Sequence, residues 1–463
     1  VFKFKKEKFT FGLSPIALLT LAACGGGGGG GQSSGGQSGG GGSFSVGGNV
    51  IKGPLTNALV GLDYDGDGVV DSETVRTDSD GSYTLSTTNS SYTVIAVTDD
   101  ASIDTSSGAV LSGVTLKAPK GALVVTPTTT LMEEGDITSA QVASVLGLPD
   151  GIDPLSFNPY AAGIDAAEAL QVEKAFQQVV NVVTAFAASA EGAGASEVDA
   201  FKAALNSVVE VVKTKVANLT DVNASVADKS LDLTNTADLS LIKTQVTTEI
   251  STAAGVNTIA FNALANDTIT AIENVNVKIE TATDLTSDVT KNIFSTTQVL
   301  ADQVKAAASA EVNSAGSGTI SFINESAVNS AATNKAPSNI SLTSKTISEA
   351  ASSLIIGILS TTDSDQTSGV GFTYKIAAIS GTDYNVFSIN QATGELLFKA
   401  QPDFETKSSY NINVLSTDEG GKTFSKSFVI EVTDTNDAPM VANAIADQTI
   451  AEDSVLSFQL AAN

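Results

Sequence analysis

The rhythm of apolar and polar positions divides the chain before any single residue does. From residue 49, short apolar runs alternate with clusters of Gly, Asn and Asp. "ALVGLDYD" (58–65), "YTLST" (83–87) and "YTVIAV" (92–97) read as strands, and "TDSDGSY" (77–83) as a tight turn. Between 127 and 312 the period becomes helical. Ala169, Val172, Phe176, Val179, Val183 and Phe186 recur at alternating intervals of 3 and 4, and Val198, Phe201, Leu205, Val208 and Val212 repeat the pattern. Each set places one apolar stripe along an amphipathic helix. "SEVD" (196–199) is a candidate N-cap for the second. Weaker stripes run through 241–250, 256–279 and 293–304. Two readings of this middle stay open, a bundle with an Ala/Val core and a coiled-coil stalk. Residues 313–336 read as a linker by composition. Strands then return as "LIIGILST", "FTYKIAAI", "ELLFK", "YNINVLST" and "FSKSFVIEV". In the last, Phe428, Ile430 and Val432 alternate with Ser427, Val429 and Glu431, the signature of a half-buried strand.

The N-terminal stretch follows neither rhythm. Lys3, Lys5, Lys6 and Lys8 precede the apolar run "TFGLSPIALLTLAA", which ends in small residues, the layout of a secretory signal. The run falls short of the ~20 residues that span a bilayer. Residues 25–48 contain only Gly, Ser, Gln, Phe and Val, a composition expected of a flexible tether.

Composition removes whole classes of chemistry. The 463 residues include one cysteine, Cys24, and neither His nor Trp. A disulfide framework, a Cys-rich zinc site and any His-dependent triad are excluded. Carboxylates dominate, with 51 Asp and Glu against 24 Lys and Arg and a formal net charge of -27. That balance argues against nucleic acid, whose phosphates need cations, and favours hard divalent ions bound through oxygen.

The most suggestive cluster is "DYDGDGVVDSE" (63–73). Asp63, Asp65 and Asp67 alternate, Gly68 follows, and Asp71 takes the ninth place. Carboxylates at alternate positions can converge on one Ca2+, Gly allows the sharp turn, and the Val69 carbonyl can ligate. The twelfth place is Thr74, with Glu73 one short, so bidentate closure departs from the EF-hand pattern. An Asx-turn hairpin with solvated acids is the alternative.

Four resemblances add to this. "LAAC" (21–24) resembles the bacterial lipobox, which implies lipid attachment at Cys24. Gly25 in place of Asp then implies outer-membrane sorting in a Gram-negative cell. Residues 49–120 resemble carboxypeptidase regulatory-like or prealbumin-like sandwiches. "ISEAA", "DSD", "INQATGELLF", "PDFE", "YNINVLSTDEGG" and "DTNDAP" resemble, in order and spacing, a cadherin repeat over 337–438. That resemblance implies a seven-stranded sandwich with calcium at its end. By position it implies Glu349, Asp403, Glu405, Asp434, Asn436 and Asp437 as ligands, with Ala438 departing from the family's second linker asparagine. Asp363 and Asp365 match the pair offered to a preceding repeat, although no such repeat is visible. Residues 439–463 resemble the opening of a second cadherin or Ig-like repeat, with Glu452 and Asp453 in its first strand, so the chain is expected to continue.

The fold expected is therefore multidomain. It has a lipoprotein signal (1–24), a tether (25–48), an all-β prealbumin-like or Ig-like sandwich (49–120), an α-helical region (121–312), a linker (313–336), a cadherin-like repeat (337–438) and a truncated second repeat (439–463). The function expected is a non-enzymatic, calcium-binding surface protein for adhesion or extracellular scaffolding. It would be membrane-attached through lipid, with other cadherin-like proteins or surface glycans as partners. The rival is a non-catalytic binding or spacer region of a polysaccharide-handling enzyme whose catalytic domain lies past residue 463.

Overall fold

The computed structural model describes residues 43–436, apart from 252, 254, 367, 368, 380 and 419–421, together with 449–455 and 457. Cys24, Asp437 and most of 439–463 lie outside the described residues. Among those described, no helix is long and apolar enough to cross a membrane.

The first ten strands are β1 (Phe44–Val50), β2 (Leu55–Thr56), β3 (Leu59–Asp63), β4 (Val75–Arg76), β5 (Ser82–Thr87), β6 (Thr93–Val97), β7 (Ile103–Asp104), β8 (Ala109–Val110), β9 (Thr115–Pro119) and β10 (Val124–Val125). One sheet runs β4-β3-β6-β9 and another β10-β1-β5, with a small β2-β7-β8 sheet beside them. Alternating positions of both larger sheets meet in one core: Val46 and Val50 of β1 and Leu85 of β5 with Val60, Leu62, Val94, Ala96 and Leu116. β1 begins at Phe44, inside the stretch expected to be tether. It pairs antiparallel with β5 from Phe44 and parallel with β10 at Asn49 and Val50. Val46 is the reason: apart from the more exposed Phe44 it is the apolar residue of this run, and it is buried on the sheet's inner face.

The middle holds α1 (Pro127–Gly135), α2 (Ser139–Val145), α3 (Ala166–Gly192), α4 (Glu197–Asn218), α5 (Val226–Lys229), α6 (Thr236–Ile250), α7 (Thr258–Glu280), α8 (Asp288–Asn313) and α9 (Glu325–Ala331). Side-chain oxygens cap their starts. Asp165 accepts from the N–H groups of Ala167 and Glu168, and Ser196 accepts from Asp199 N at 3.1 Å. All six residues of the first predicted stripe are buried on α3. This helix packs on α4, α7 and α8. The contact with α8 is close because position 192 is glycine: a Cβ there would lie 2.4 Å from the Lys305 carbonyl oxygen and 2.7 Å from Ala308 Cβ. The helices share one apolar core around Phe186, Phe261 and Phe294, so they form a packed bundle.

The segment 313–336 corrects the expected linker. It forms a 3-10 turn at Ser321–Ile323 and then α9. Ile320, Phe322, Val328 and Ala332 are buried in the helical core, and Asn274 Nδ2 donates to the Phe322 carbonyl at 2.8 Å. These apolar residues, with Ala327 and Ala331, hold the segment against the helical core.

The last eight strands are β11 (Asn339–Leu342), β12 (Thr346–Ser348), β13 (Ile355–Thr362), β14 (Thr373–Ile376), β15 (Phe387–Asn390), β16 (Glu395–Phe398), β17 (Ser409–Thr417) and β18 (Thr423–Thr433). They make two four-stranded sheets, β11-β13-β16-β15 and β12-β18-β17-β14. β12 pairs parallel with β18, and the other neighbours pair antiparallel. The inner faces meet in a core of Ile340, Ile356, Leu396 and Phe387 against Ile412, Val414, Phe428, Ile430 and Val432. Phe387, Phe398 and Tyr410 stack, with Tyr410 edge-on to Phe398 at 5.0 Å. This is a β-sandwich.

Candidate metal centres

Two carboxylate trios stand out among the described residues. In each, one oxygen from every member lies within 4.8 Å of the others: Asp63, Asp65 and Asp71 in the first, Glu349, Asp403 and Glu405 in the second.

The first trio forms where β3 ends. Asp63, the strand's last residue, is buried at 3% exposure, so its carboxylate must be satisfied locally. Oδ1 accepts from Asp65 N at 3.2 Å and Gly66 N at 2.8 Å, and Oδ2 accepts from Gly68 N at 2.9 Å. Wrapping the backbone round one carboxylate needs left-handed residues, supplied by Gly66 at φ 81° and Gly68 at φ 85°. The far side is tied down by Asp71, whose N donates to the Leu62 carbonyl and whose Oδ2 accepts from Tyr64 N at 2.8 Å. Asp67 is outside the trio; its Oδ1 accepts from Val69 N at 2.8 Å. The Val69 side chain is exposed. Thus the loop gathers three of the four predicted aspartates through carboxylate–backbone hydrogen bonds.

Sequence reasoning missed two neighbours of this loop. Ser72 Oγ accepts from Leu62 N at 2.8 Å and closes its base. Lys117 of β9, paired with Glu134 at 2.7 Å, brings an ammonium to its rim, 3.1 Å from where a Gly68 Cβ would sit. Ser72 lies inside the 63–73 stretch itself, whereas Lys117 has no local sequence signal, since β9 reaches the loop only through sheet pairing.

The second trio gathers at one end of the C-terminal sandwich. Glu349 follows β12 and clamps two segments: Oε2 accepts from Phe404 N at 2.7 Å and Oε1 from Thr435 N at 2.6 Å. Thr435 lies between Asp434 and Asn436, so the clamp brings the start of the "DTNDAP" motif beside the trio. Asp403 accepts at 2.9 Å from both the N–H and the hydroxyl of Thr406. Those bonds, backbone first, hold its carboxyl below the usual aspartate range. Asp403 is therefore ionised at neutral pH and suits a cation. Asp434 is described but is not a member of the trio.

Asp363 and Asp365 sit apart from both trios. Asp365 Oδ2 accepts from Lys335 N at 2.8 Å. Burial, then the neighbouring Asp365 carboxyl, pushes Asp363 up. Backbone at the preceding junction thus satisfies Asp365 directly.

Residues 343–433 match the family described as Cadherin domain. The segment is similar to a cadherin domain. Over 95 residues the chain is 32% identical to human protocadherin gamma-B7, covering 20% of this chain and 10% of that protein. Over 87 residues it is 33% identical to mouse protocadherin Fat 4, covering 18% of this chain and 2% of that protein. The chain thus spans a tenth or less of these curated relatives. Among solved structures, the protocadherin gammaB7 EC3-6 cis-dimer is similar at 24% identity, covering 22% of this chain and 24% of that chain, with a TM-score of 0.19. The solution structure of the third cadherin domain from human protocadherin 7 is similar at 18% identity, covering 23% of this chain and 92% of that chain, with a TM-score of 0.18. The donor sets of both trios are all oxygen and all carboxylate, which fits Ca2+ and does not fit softer metals.

Proposed function

We propose that this chain is an exported, calcium-binding surface protein whose β-sandwiches are stiffened by Ca2+ for adhesion or extracellular scaffolding. The observation that carries the reading is the Glu349 clamp. One carboxylate holds both the Phe404 segment and Thr435, with Asp403 and Glu405 converging on it. An ion there neutralises three like charges and fixes the chain where it leaves the cadherin domain. Asp434, Asn436 and Asp437 are placed along the sequence to complete its shell. The Asp63 loop, with Asp65 and Asp71, is a second, independent site in the N-terminal β region.

The lipobox-like "LAAC" supports lipid attachment at Cys24 and a cell-surface, outer-membrane location. The match of 343–433 to the cadherin family supports contacts with other cadherin-like chains. Beads coated with the full chain should aggregate in calcium and disperse in chelator. Dispersed beads in both conditions would remove homotypic adhesion from the proposal. Palmitate labelling should be lost in Cys24→Ser; equal labelling in the variant would remove the lipid anchor.

A further inference from the structure

Away from both trios, three ionisable side chains are shut together between the N-terminal sheets and α3. Lys52 and Asp104 are each 1% exposed and Glu173 is 0% exposed. Lys52 Nζ lies 2.7 Å from Asp104 Oδ2. Neither the metal sites nor the adhesive reading uses them. Burying one cation with two carboxyls is costly, and an interior held only for packing is better served by apolar residues.

The surroundings are arranged around the Asp104 carboxyl. Ser106 N and Ser106 Oγ donate to Oδ1 at 2.8 Å and 2.6 Å, and Ser107 Oγ donates to Oδ2 at 3.0 Å. Gly53, at φ 67°, presses the backbone against the same group, since a Cβ there would fall 2.1 Å from Oδ1. Gln177 of α3 bridges the cluster, donating to Ser106 Oγ at 2.9 Å and to Glu173 Oε1 at 2.7 Å. The buried Tyr160 hydroxyl and the Gly53 backbone face the Glu173 carboxyl.

We propose that Lys52 and Asp104 condense into an intramolecular isopeptide bond, with Glu173 carrying the protons, because amine, carboxyl and a second carboxyl are locked together in one dry pocket. In that pocket a proton passes from the Lys52 ammonium to the Asp104 carboxylate, leaving a neutral amine and a neutral acid. The Nζ lone pair then attacks Cγ and forms the N–C bond. Negative charge develops on Oδ1, where the two Ser106 donors already point. Glu173 gives its proton to the departing Oδ2 hydroxyl and takes one from Nζ, so water leaves and Glu173 is restored. Overall, one ammonium and one carboxylate become one amide and one water, with no oxidant or cofactor. Holding the two groups in contact replaces a bimolecular encounter by an effective concentration of about 10⁵ M or more. Burial, and secondarily Asp104, pushes the Glu173 carboxyl up to about 8, so it keeps the proton the step needs. The bond would staple the turn after β1 to β7.

Tryptic mapping of the full chain tests this directly. A branched peptide joining the Lys52 and Asp104 segments, lighter than their sum by one water and uncut after Lys52, is expected. Separate linear peptides with cleavage after Lys52 would overturn the bond, and this measurement needs no variant. In Glu173→Gln, with folding checked by circular dichroism, the branched peptide should disappear. A folded variant that keeps it would remove Glu173 from the step.

Discussion

Asp63→Ala separates the loop's two roles. The carboxylate is buried and accepts three backbone N–H groups, from Asp65, Gly66 and Gly68. Hydrogen bonds to a charged acceptor contribute about 1.5–3 kcal/mol each, but the loop is solvent-facing beyond Asp63 and its freed donors can rehydrate. Discounting to roughly 1 kcal/mol each gives a loss of about 3 kcal/mol in chelator. Urea unfolding followed by far-UV circular dichroism reads this as a lower midpoint at unchanged slope. Calcium titration by calorimetry then reads the second role: one site should vanish while the Glu349 trio still binds. A variant within about 0.5 kcal/mol of the wild type, the range of ordinary surface changes, would refute the hydrogen-bond account. A variant that keeps full calcium stoichiometry would refute the assignment of the ion to this loop.

Other outcomes follow from the same structure. Glu349→Ala frees the Phe404 and Thr435 amides; hydrogen exchange should accelerate at both, with about 2 kcal/mol lost and the second calcium site abolished. Phe294→Ala empties a fully buried site in the helical core and should cost about 3–5 kcal/mol by urea unfolding. Glu173 has a folded pKa near 8 against an ordinary value of 4.5, so the folded state holds its proton longer than the unfolded state does. Stability should therefore fall as pH rises from 4.5 to about 8 and level off above, and Glu173→Gln should remove that slope in urea midpoints measured across the window. Desolvation is the leading cause, so the sign holds whether or not Lys52 and Asp104 are joined.

Periodicity served best where one face meets one core. The α3 stripe from Ala169 to Phe186 is buried residue for residue, and β18 buries Phe428, Ile430 and Val432 while exposing Val429 and Glu431. It misled where an element is covered on several sides. Glu173, Gln177 and Asn181 recur every four residues on α3 and look like a solvated face, yet all three are fully buried because the β region and α7 cover them. In the second stripe, Val198, in the first turn of α4, is exposed. The acidic motifs are where both carboxylate trios lie, since Asp63, Asp65 and Asp71 are close in sequence and "PDFE" holds two of the other three carboxylates. Lys52, Asp104 and Glu173 have no such pattern. Their meeting depends on how β7 and α3 pack around the turn after β1, which spacing along the chain does not encode.

Calcium carries the proposed function. Differential scanning calorimetry of the full chain, in calcium and in chelator, tests it most directly. Binding only to the folded state stabilises by RT ln(1 + [L]/Kd), about 2.7 kcal/mol at a hundredfold excess over Kd, so calcium should raise the midpoint. Asp63→Ala and Glu349→Ala should each remove part of the rise, and together all of it. Identical midpoints in calcium and chelator would contradict it.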